Sequence, residues 1–427
     1  MSKLRVGMVG LGKLGLPCLL AMERHGGHEV YGFDTSPSIL EQIQGREVSF
    51  WEEGVNDYLK TSKIGTVDSA ADLVENCDII FIAVPTPHEK EFEGSTPTPA
   101  SRKDFDYSFL ESAALDISRG LRNFPERNPL IVVISTVLPG TMREKILPIL
   151  LSERENLRFA YNPYFIAMGT TIADFLNPEF FLIGSLNLSD GEDLASFYSF
   201  IDARVMKMKI ESAELTKVAY NTFIGFKIIF ANAIAEIVDK RGGDADEVTS
   251  ALSSANYRIM SGKYFSAGMG DGGGCHPRDQ IAMSWLAKDC GLSYDIFEAI
   301  ATARDLQTEN QALMIVREAL ARKLPIVILG KAYKENSPLL IGSPAVLLTH
   351  YLSGMSINFT SVDPFIEEIG DVFGEPAVFF VATKHSEFSQ LNLPQGSVLI
   401  DPWGFVKLEN NINVEVLRPG RNDQRQN

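Results

Sequence analysis

The sequence predicts an α/β fold in which two regions of alternating strands and helices flank a helical stretch. Over the first ~195 residues, short apolar β-branched runs alternate with amphipathic segments, a pattern typical of a parallel sheet covered on both faces. A long, mostly apolar helix is predicted from Ser212 to about Lys240. A second alternation begins at Ile326 and indicates a smaller α/β domain. The 427 residues are therefore expected to form more than one domain.

The predicted strands are short apolar runs bounded by turn residues. In the first region they are Arg5–Val9, Glu29–Phe33, Ile79–Val84, Ile131–Ser135, Leu157–Ala160 and Phe180–Ile183. In the second region they are Ile326–Gly330, Val378–Val381 and Ser397–Ile400. Because the helix from Ser212 is apolar on most of its faces, we expect it to be buried in a core or between subunits.

The composition argues against several classes of protein. A net charge of −16 disfavours a surface for nucleic acid or for an anionic membrane. No uninterrupted apolar run reaches ~18 residues and the chain enters a strand pattern at once, so we expect neither a membrane span nor a signal peptide, and we predict a cytoplasmic protein. The four cysteines lack the spacing of metal ligands and predict reduced thiols without a metal site.

A glycine-rich loop follows the first predicted strand. Its sequence is Gly10-Leu11-Gly12-Lys13-Leu14-Gly15, and it stands between a strand and a helical run, as a GxGxxG loop must to hold a pyrophosphate at a helix N-terminus. Asp34 ends the next strand, 19 residues after Gly15, where a carboxylate binds the ribose hydroxyls of NAD and repels the extra phosphate of NADP. The alternative interpretation is that the glycines form a tight turn that lets the helix pack closely, without binding a cofactor. The strand, loop, helix and acidic residue in register favour an NAD-binding, Rossmann-like doubly wound domain.

Two further strand ends are expected at the crevice where ligands of doubly wound sheets bind. They carry Val84, Pro85 and Thr86 on one strand, and Ser135 and Thr136 on the next. We predict that these residues contact the cofactor, although a turn and a strand cap explain them equally well.

One thiol lies between a run of glycines and a predicted helix start. Pro277 suits the first helical turn, and the apolar residues after it recur with helical spacing. Cys275 is therefore expected just ahead of a helix N-terminus, whose unpaired N–H groups favour thiolate over thiol. The alternative is a small, buried and unreactive cysteine.

Polar side chains interrupt the long apolar helix. Lys217 and Asn221 are four residues apart, and Glu214 lies on the same face one turn earlier, so the three groups are expected to converge. A buried lysine is costly unless it is paired or used. We therefore interpret Lys217 and Asn221 as groups that stabilise negative charge on a substrate oxygen. The alternative is that these polar side chains form a solvent-exposed stripe on the helix and have no role in binding.

These motifs, in their order along the chain, resemble those of the UDP-glucose/GDP-mannose dehydrogenase family over nearly the whole length. The shared motifs are Gly10 to Pro17, Ser135-Thr136-Val137-Leu138-Pro139-Gly140, Asn162-Pro163, Glu214-Leu215-Thr216-Lys217 with Asn221, Gly273-Gly274-Cys275 with Asp279, and Gly330-Lys331-Ala332-Tyr333-Lys334. The resemblance implies an NAD-binding domain at 1–200, a central helical dimerisation domain at 201–315, and a smaller Rossmann-like α/β domain for a nucleotide sugar at 316–427. It also implies a homodimer or a higher homo-oligomer.

The resemblance further implies an NAD-dependent four-electron oxidation of the C6 primary alcohol of a nucleotide sugar to the uronic acid. Cys275 would add to the intermediate aldehyde, and the thiohemiacetal would be oxidised to a thioester that water hydrolyses. Lys217 and Asn221 would hold the oxyanion. Asp279 would orient water or Lys217, and Thr136 would hold a water near the reacting carbon.

The expected substrate contacts come from all three domains. The predicted set is Tyr164, Phe165, Lys217, Asn221, Arg258, Tyr264, Gly272 and Lys334. By resemblance, Arg258 would reach the sugar site of the neighbouring subunit and Lys334 would contact the nucleotide sugar. A UDP-hexose is the expected substrate, although the residues themselves do not choose among UDP-glucose, UDP-N-acetylhexosamines and GDP-mannose.

Two positions depart from the family pattern. After Asn162-Pro163 the family usually has a glutamate credited with activating water, whereas this chain has Tyr164, a poor base at neutral pH. Ile341 stands where an arginine is expected. These departures keep two alternatives open: a two-electron enzyme that stops at the aldehyde, as 3-hydroxyacid dehydrogenases stop after one oxidation, and a non-catalytic homologue.

Overall fold

A computed structural model of the chain describes residues 3–87, 89, 99–101, 103–263, 265–273, 275–408 and 413–421. The chain forms two compact units, Met1–Gly225 and Phe226–Asn427, which we call the first and the second unit. Each unit is built on a sheet of parallel or mostly parallel strands.

The first unit contains an eight-stranded sheet in its described residues. Its strands are β1 (Arg5–Val9), β2 (Glu29–Phe33), β3 (Gly65–Thr66), β4 (Ile79–Ile82), β5 (Leu130–Val133), β6 (Phe159–Tyr161), β7 (Phe181–Ser185) and β8 (Val205–Met208). Their order across the sheet is β3-β2-β1-β4-β5-β6-β7-β8. The direction of winding reverses between β1 and β4, and this is the point where a doubly wound sheet opens a ligand crevice at the carboxyl ends of its strands.

Helices connect these strands. They are α1 (Gly15–Gly26), α2 (Pro37–Gln44), α3 (Val55–Thr61), α4 (Ala70–Asn76), α5 (Ser108–Asn123), α6 (Leu147–Leu151), α7 (Thr171–Leu176) and α8 (Leu188–Phe197). Successive residues of the central strands enter two different cores: Met8 and Phe81 lie in one, and Val9 and Ile82 in the other. Burial on both faces explains why the strands are continuous apolar runs, and it confirms the predicted sheet.

The prediction of a parallel sheet is wrong for one pair of strands. β6 and β7 pair antiparallel, with Tyr161 opposite Gly184. The chain between them forms the short helix α7, which packs on α1. A strand that returns without a crossover runs antiparallel, because only a crossover brings the chain back to the same end of the sheet.

The long apolar helix is α9 (Ile210–Arg241), which confirms the predicted helix and passes from the first unit into the second. Its large apolar side chains are partly open to solvent: Phe223, Ile224, Ile228 and Ile229 are 44 to 57% exposed. By length and composition alone, the stretch Ile210–Val238 could cross a membrane. One such helix is weak evidence for a membrane span, since a helix covered by a second subunit has the same composition.

The second unit begins with helices and ends with a smaller α/β region. Its helices after α9 are α10 (Ala245–Ser253), α11 (His276–Cys290), α12 (Ile296–Arg322) and α13 (Pro344–Gly354). Its strands are β9 (Ile326–Leu329), β10 (Thr360–Val362), β11 (Val378–Val381), β12 (Gln390–Leu391), β13 (Val398–Ile400), β14 (Lys407–Leu408) and β15 (Glu415–Leu417). The main sheet has the order β10-β9-β11-β13-β15 with parallel neighbours, so its winding reverses between β9 and β11.

Candidate active site

The loop between β1 and α1 has the geometry of a phosphate cradle. Gly10 adopts a φ of +92°, and a Cβ atom there would lie 2.9 Å from the carbonyl oxygen of Ala83. A Cβ atom on Gly15 would lie 1.9 Å from the carbonyl oxygen of Gly10, so this glycine lets α1 start close to β1. At Gly12, no described atom lies within 4 Å of the Cβ position, which leaves room for a phosphate group.

Asp34 ends β2 beside this loop and is half-buried. Its carboxylate accepts the N–H groups of Leu11 and Ser36, each at 2.8 Å. Lys13 is exposed in the loop, and Leu14 precedes the first turn of α1. A tight glycine turn, a helix N-terminus and a fixed carboxylate at the next strand end are the features that NAD requires, and the described residues therefore fit this cofactor.

The ends of β4 and β5 are joined by two hydrogen bonds. The hydroxyl of Thr86, which follows Val84 and Pro85, donates to the carbonyl of Thr136 at 2.7 Å, and the hydroxyl of Ser135 donates to the carbonyl of Val84 at 2.6 Å. Both strand ends lie at the same edge as the glycine loop, because Ala83 packs against Gly10. The two hydroxyl groups therefore serve the turns, while the half-buried side chain of Thr136 makes no described hydrogen bond.

Lys217 lies near the start of α9 and is 7% exposed. Its ammonium group donates to the carbonyl of Tyr164 at 2.7 Å and lies 4.8 Å from the centre of the Phe165 ring. Burial lowers the pKa of Lys217 from its ordinary value. An ammonium group has three N–H donors, so this lysine can bind a substrate oxygen as well as the carbonyl. Asn221 follows one turn later with an exposed side chain.

The expected convergence of Glu214 with Lys217 is wrong. The Glu214 carboxylate is fully buried and accepts the N–H groups of Gly140 at 2.6 Å and Met142 at 2.8 Å, and it forms no salt bridge with Lys217 in the described residues. Burial raises the pKa of Glu214, and these backbone N–H groups only partly oppose the shift. The carboxylate accepts these hydrogen bonds because the turn after β5 leaves two buried N–H groups without strand or helix partners. Glu214 therefore holds the turn that follows Thr136.

The Tyr164 side chain does not fit the predicted role of substrate contact. It is 7% exposed, its ring packs on Phe175, and its hydroxyl lies 2.8 Å from the hydroxyl of Tyr198. Tyr198 in turn donates to the side-chain oxygen of Asn162 at 2.5 Å. Burial raises the pKa of Tyr164 well above its ordinary value. The residue presents its backbone carbonyl to Lys217 and its side chain to the core, because an aromatic ring gains more from burial than from solvent.

Cys275 directly precedes α11 and occupies its N-cap position. Its side chain is exposed and makes no capping hydrogen bond, so Cys275 is not the buried cysteine of the alternative interpretation. Gly273 has a φ of +96°, and a Cβ atom there would lie 2.9 Å from the ring of Tyr333. At Gly272, a Cβ atom would lie 2.7 Å from Pro344. Gly274 and Tyr264 lie outside the described residues.

The residues around Cys275 include a histidine that sequence reasoning missed. His276 Nδ1 lies 2.8 Å from a carboxylate oxygen of Asp271, and the Gln280 side chain donates to the other oxygen at 2.9 Å. The predicted catalytic Asp279 pairs with Arg278 at 2.9 Å. The signal in the sequence was a titratable residue directly after the candidate nucleophile, with an acidic residue four positions before that nucleophile.

The loop after β9 carries Lys334, which is exposed. Gly330 opens this loop with a φ of +99°. The fully buried Asp363, at the end of β10, accepts the N–H groups of Lys331 at 2.7 Å and Ala332 at 2.9 Å. Arg258 is exposed on the chain after α10.

Comparisons with known proteins agree with the motifs. The sequence model of the UDP-glucose/GDP-mannose dehydrogenase NAD-binding domain matches residues 4–202, and that of the central domain matches residues 211–305. A GDP-mannose 6-dehydrogenase of Pseudomonas syringae is 29% identical over 94% of this chain and 97% of its own length. The UDP-glucose 6-dehydrogenase TuaD of Bacillus subtilis is 26% identical over 97% of this chain and 87% of its own.

A solved structure shares the fold over nearly the whole chain. The GDP-mannose dehydrogenase of Pseudomonas aeruginosa, crystallised as a ternary complex, superposes with a TM-score of 0.85 at 23% sequence identity, covering 96% of this chain and 99% of its own. At this identity, the likeness establishes the fold.

The doubly wound sheet, the glycine loop and the matched domain define an NAD-dependent oxidoreductase. The chain belongs to the UDP-glucose/GDP-mannose dehydrogenase family. NAD is its cofactor, and residues 4–202 contain the domain that binds it.

Proposed function

We propose that the protein oxidises the C6 primary alcohol of a nucleotide sugar to the uronic acid in two successive steps, using Cys275 as the nucleophile. The observation that carries this proposal is the position of Cys275, which is exposed at the N-terminus of α11 in a chain with an NAD-binding domain. A helix N-terminus stabilises a thiolate, and a thiolate adds readily to an aldehyde carbon.

NAD would be held by the loop from Gly10 to Gly15 and by Asp34, and when bound it accepts the hydride in each oxidation. The Cys275 sulfur would form a bond to the aldehyde carbon, giving a thiohemiacetal whose oxidation yields a thioester. Water would then break the carbon–sulfur bond and release the acid. Two electron pairs leave the substrate in total.

Lys217 is proposed to stabilise the oxyanion of the tetrahedral intermediates, together with Asn221 and with a water held by Thr136. The Tyr164 carbonyl and the Phe165 ring orient the ammonium group. Burial strengthens the interaction of this charge with an oxyanion, because little water screens it.

The proposed substrate is a nucleoside diphosphate hexose. Phe165, Arg258, Gly272 and Lys334 are its proposed contacts beside the catalytic groups. The relatives include both GDP-mannose and UDP-glucose 6-dehydrogenases, so these two nucleotide sugars are the first to test, and the UDP-hexose expected from the sequence is one of the two. The exposed apolar side chains of α9 support a second copy of the chain as the partner that covers them.

The test is to count NADH and acid formed from GDP-mannose and from UDP-glucose. The expected result is two NADH and one uronic acid per sugar for one of the two substrates. A Cys275→Ser variant is expected to form acid at least about 10³-fold more slowly. Cys290→Ser, at the other end of α11, is the matched control and should keep the activity of the unchanged protein.

Three other outcomes would overturn the proposal in whole or in part. One NADH and a free aldehyde would support a two-electron dehydrogenase, and binding without NADH formation would support a non-catalytic homologue. Acid formation that persists in Cys275→Ser would remove the covalent step.

A further inference from the structure

Hydrolysis of a thioester requires a water molecule that loses a proton as it attacks the carbonyl carbon. A positioned base commonly accelerates such a step by about 10² to 10⁴. Three candidate residues are engaged elsewhere. The Tyr164 hydroxyl is buried against Tyr198, the Glu214 carboxylate accepts two backbone N–H groups, and the Asp279 carboxylate pairs with Arg278.

His276 is adjacent to Cys275 and is held in a defined orientation. Its Nδ1 atom lies 2.8 Å from Asp271 Oδ1. An ionised carboxylate only accepts hydrogen bonds, so Nδ1 carries the proton and Nε2 of the neutral ring carries the basic lone pair. The two side chains are 55% and 31% exposed, so water reaches the pair.

Asp271 is itself fixed by contacts from two helices. Gln280 of α11 donates to its second carboxylate oxygen at 2.9 Å, and Arg304 of α12 donates to its backbone carbonyl at 2.8 Å. The carboxylate, the imidazole and the residue that carries the thiol therefore belong to one supported cluster at the start of α11. A base oriented in this way by a third group is the arrangement that nucleophilic enzymes use.

We propose that His276 is the general base that hydrolyses the acyl-enzyme on Cys275, and that Asp271 is the residue that positions it. This inference rests on the proposed function. The oxygen of water forms a bond to the thioester carbon while Nε2 of His276 takes a proton from that water. The carbon–sulfur bond then breaks, its electron pair stays on the Cys275 sulfur, and the acid leaves without any further oxidant.

The test is a His276→Gln variant of the full-length protein, assayed by rapid mixing with NAD and the accepted nucleotide sugar. We expect a burst of two NADH per active site, followed by turnover about 10²-fold slower than that of the unchanged protein. The kcat and KM should fall together, leaving kcat/KM nearly unchanged, because only a step after acylation is slowed. Intact-mass measurement should show the acyl adduct on the protein, and added hydroxylamine should release it and restore turnover.

An Asp271→Asn variant should show the same pattern with a smaller loss, since it removes the orientation but keeps the imidazole. His350→Gln, an exposed histidine on α13, is the matched control and should not accumulate the adduct. Unchanged kcat in His276→Gln, or slow turnover without a burst and adduct, would overturn the role of His276. Either result leaves the proposed function standing if the unchanged protein forms acid and Cys275→Ser does not.

Discussion

The loop after β1 in the first unit and the loop after β9 in the second unit begin in the same way. Each starts with a glycine in the left-handed region, Gly10 at φ +92° and Gly330 at φ +99°. In each, an aspartate at the end of the next strand accepts a backbone N–H from the loop: Asp34 from Leu11, and Asp363 from Lys331. The two units thus use one local design to fix the first loop of a doubly wound sheet.

Beyond this first glycine, the two loops differ in length and in the groups that line them. In the first unit the chain enters α1 at Gly15, three residues after Gly12, whose Cβ position has no described atom within 4 Å. In the second unit, residues 331–343 intervene before α13, and Lys334 of this segment is exposed. A short loop suits a phosphate held by amides, whereas a longer loop can present charged side chains.

The two aspartates also differ in burial. Asp34 is half-buried, while Asp363 is fully buried and accepts a further hydrogen bond at 2.9 Å from His385. His385 Nδ1 accepts the N–H of Asn336 at 2.9 Å, so the ring proton lies on Nε2 and points to Asp363. The carboxylate of the second unit therefore holds the start of its long loop directly and Asn336 of that loop through His385. The carboxylate of the first unit holds Leu11 in the glycine loop and Ser36 in its own turn.

Replacing Asp363 should have the largest effect. In Asp363→Ala, the N–H groups of Lys331 and Ala332 and the ring of His385 lose a buried acceptor, which should lower the free energy of unfolding by about 3 kcal/mol. In Asp34→Ala, we expect a loss of about 1 kcal/mol and an NAD Kd about tenfold higher. Urea unfolding and NAD titration measure the two quantities.

Asp363→Leu provides the control for cavity formation, because it fills the space but restores no acceptor. It should be as unstable as Asp363→Ala. If Asp34→Ala proved to be the more unstable variant, the assignment of the structural carboxylate to the second unit would be reversed.

Substitutions at two glycines of the first loop should have different effects, one on folding stability and the other on NAD binding. In Gly15→Ala, the new methyl group meets the Gly10 carbonyl at 1.9 Å, and the shift of α1 should cost about 2 kcal/mol of folding stability. In Gly12→Ala, the methyl group meets no described atom, so unfolding should be almost unchanged while NAD binding weakens. Thermal unfolding with and without NAD distinguishes the two cases. Equal destabilisation by both substitutions would mean that the loop is not open at Gly12.

Much of this comparison could be predicted from the sequence. Continuous apolar runs gave the central strands correctly, because burial on both faces leaves no polar residues within them. The glycine loop could be predicted because Gly10 and Gly15 stand where a Cβ atom would clash, at the spacing of a GxGxxG motif. Asp34 could be predicted because it follows the next strand at the expected distance along the chain. The position of Cys275 at a helix start followed from Pro277.

The missed features depend on contacts between distant segments. The antiparallel turn to β7 and the short strands β3 and β8 have no periodic signal of their own. Glu214 binds the turn at Gly140, 74 residues earlier, and Asp363 meets His385, 22 residues later. A local pattern identifies an acidic residue on a helix or after a strand, but it cannot identify which backbone N–H groups that residue accepts.

The smallest expected effect is a difference between the two units in how stability depends on pH. It arises because one buried carboxylate in each unit has a shifted pKa, and the two shifts are opposite in direction. Burial acts to raise the pKa of Asp363, but the N–H groups of Lys331, Ala332 and Phe365 together with His385 lower it overall. Its stabilising effect is therefore complete above the ordinary pKa of an aspartate, near ~3.9, and is lost as the pH falls through the lower folded-state value. Burial raises the pKa of Glu214, so its ionised form costs stability at neutral pH and protonation relieves that cost as the pH falls.

The second unit should consequently lose stability on acidification, while Glu214 opposes that loss in the first unit. The measurement is the urea midpoint of each unit between about pH 5 and pH 3. Unfolding of the first unit is monitored by the fluorescence of Trp51, and unfolding of the second by that of Trp285 and Trp403. In Asp363→Asn, the midpoint of the second unit should depend less on pH, and in Glu214→Gln that of the first unit should fall more steeply. An unaltered pH dependence in Asp363→Asn would show that the carboxylate is held no more tightly than a solvated one, and the contrast between the two aspartates would then be one of burial alone.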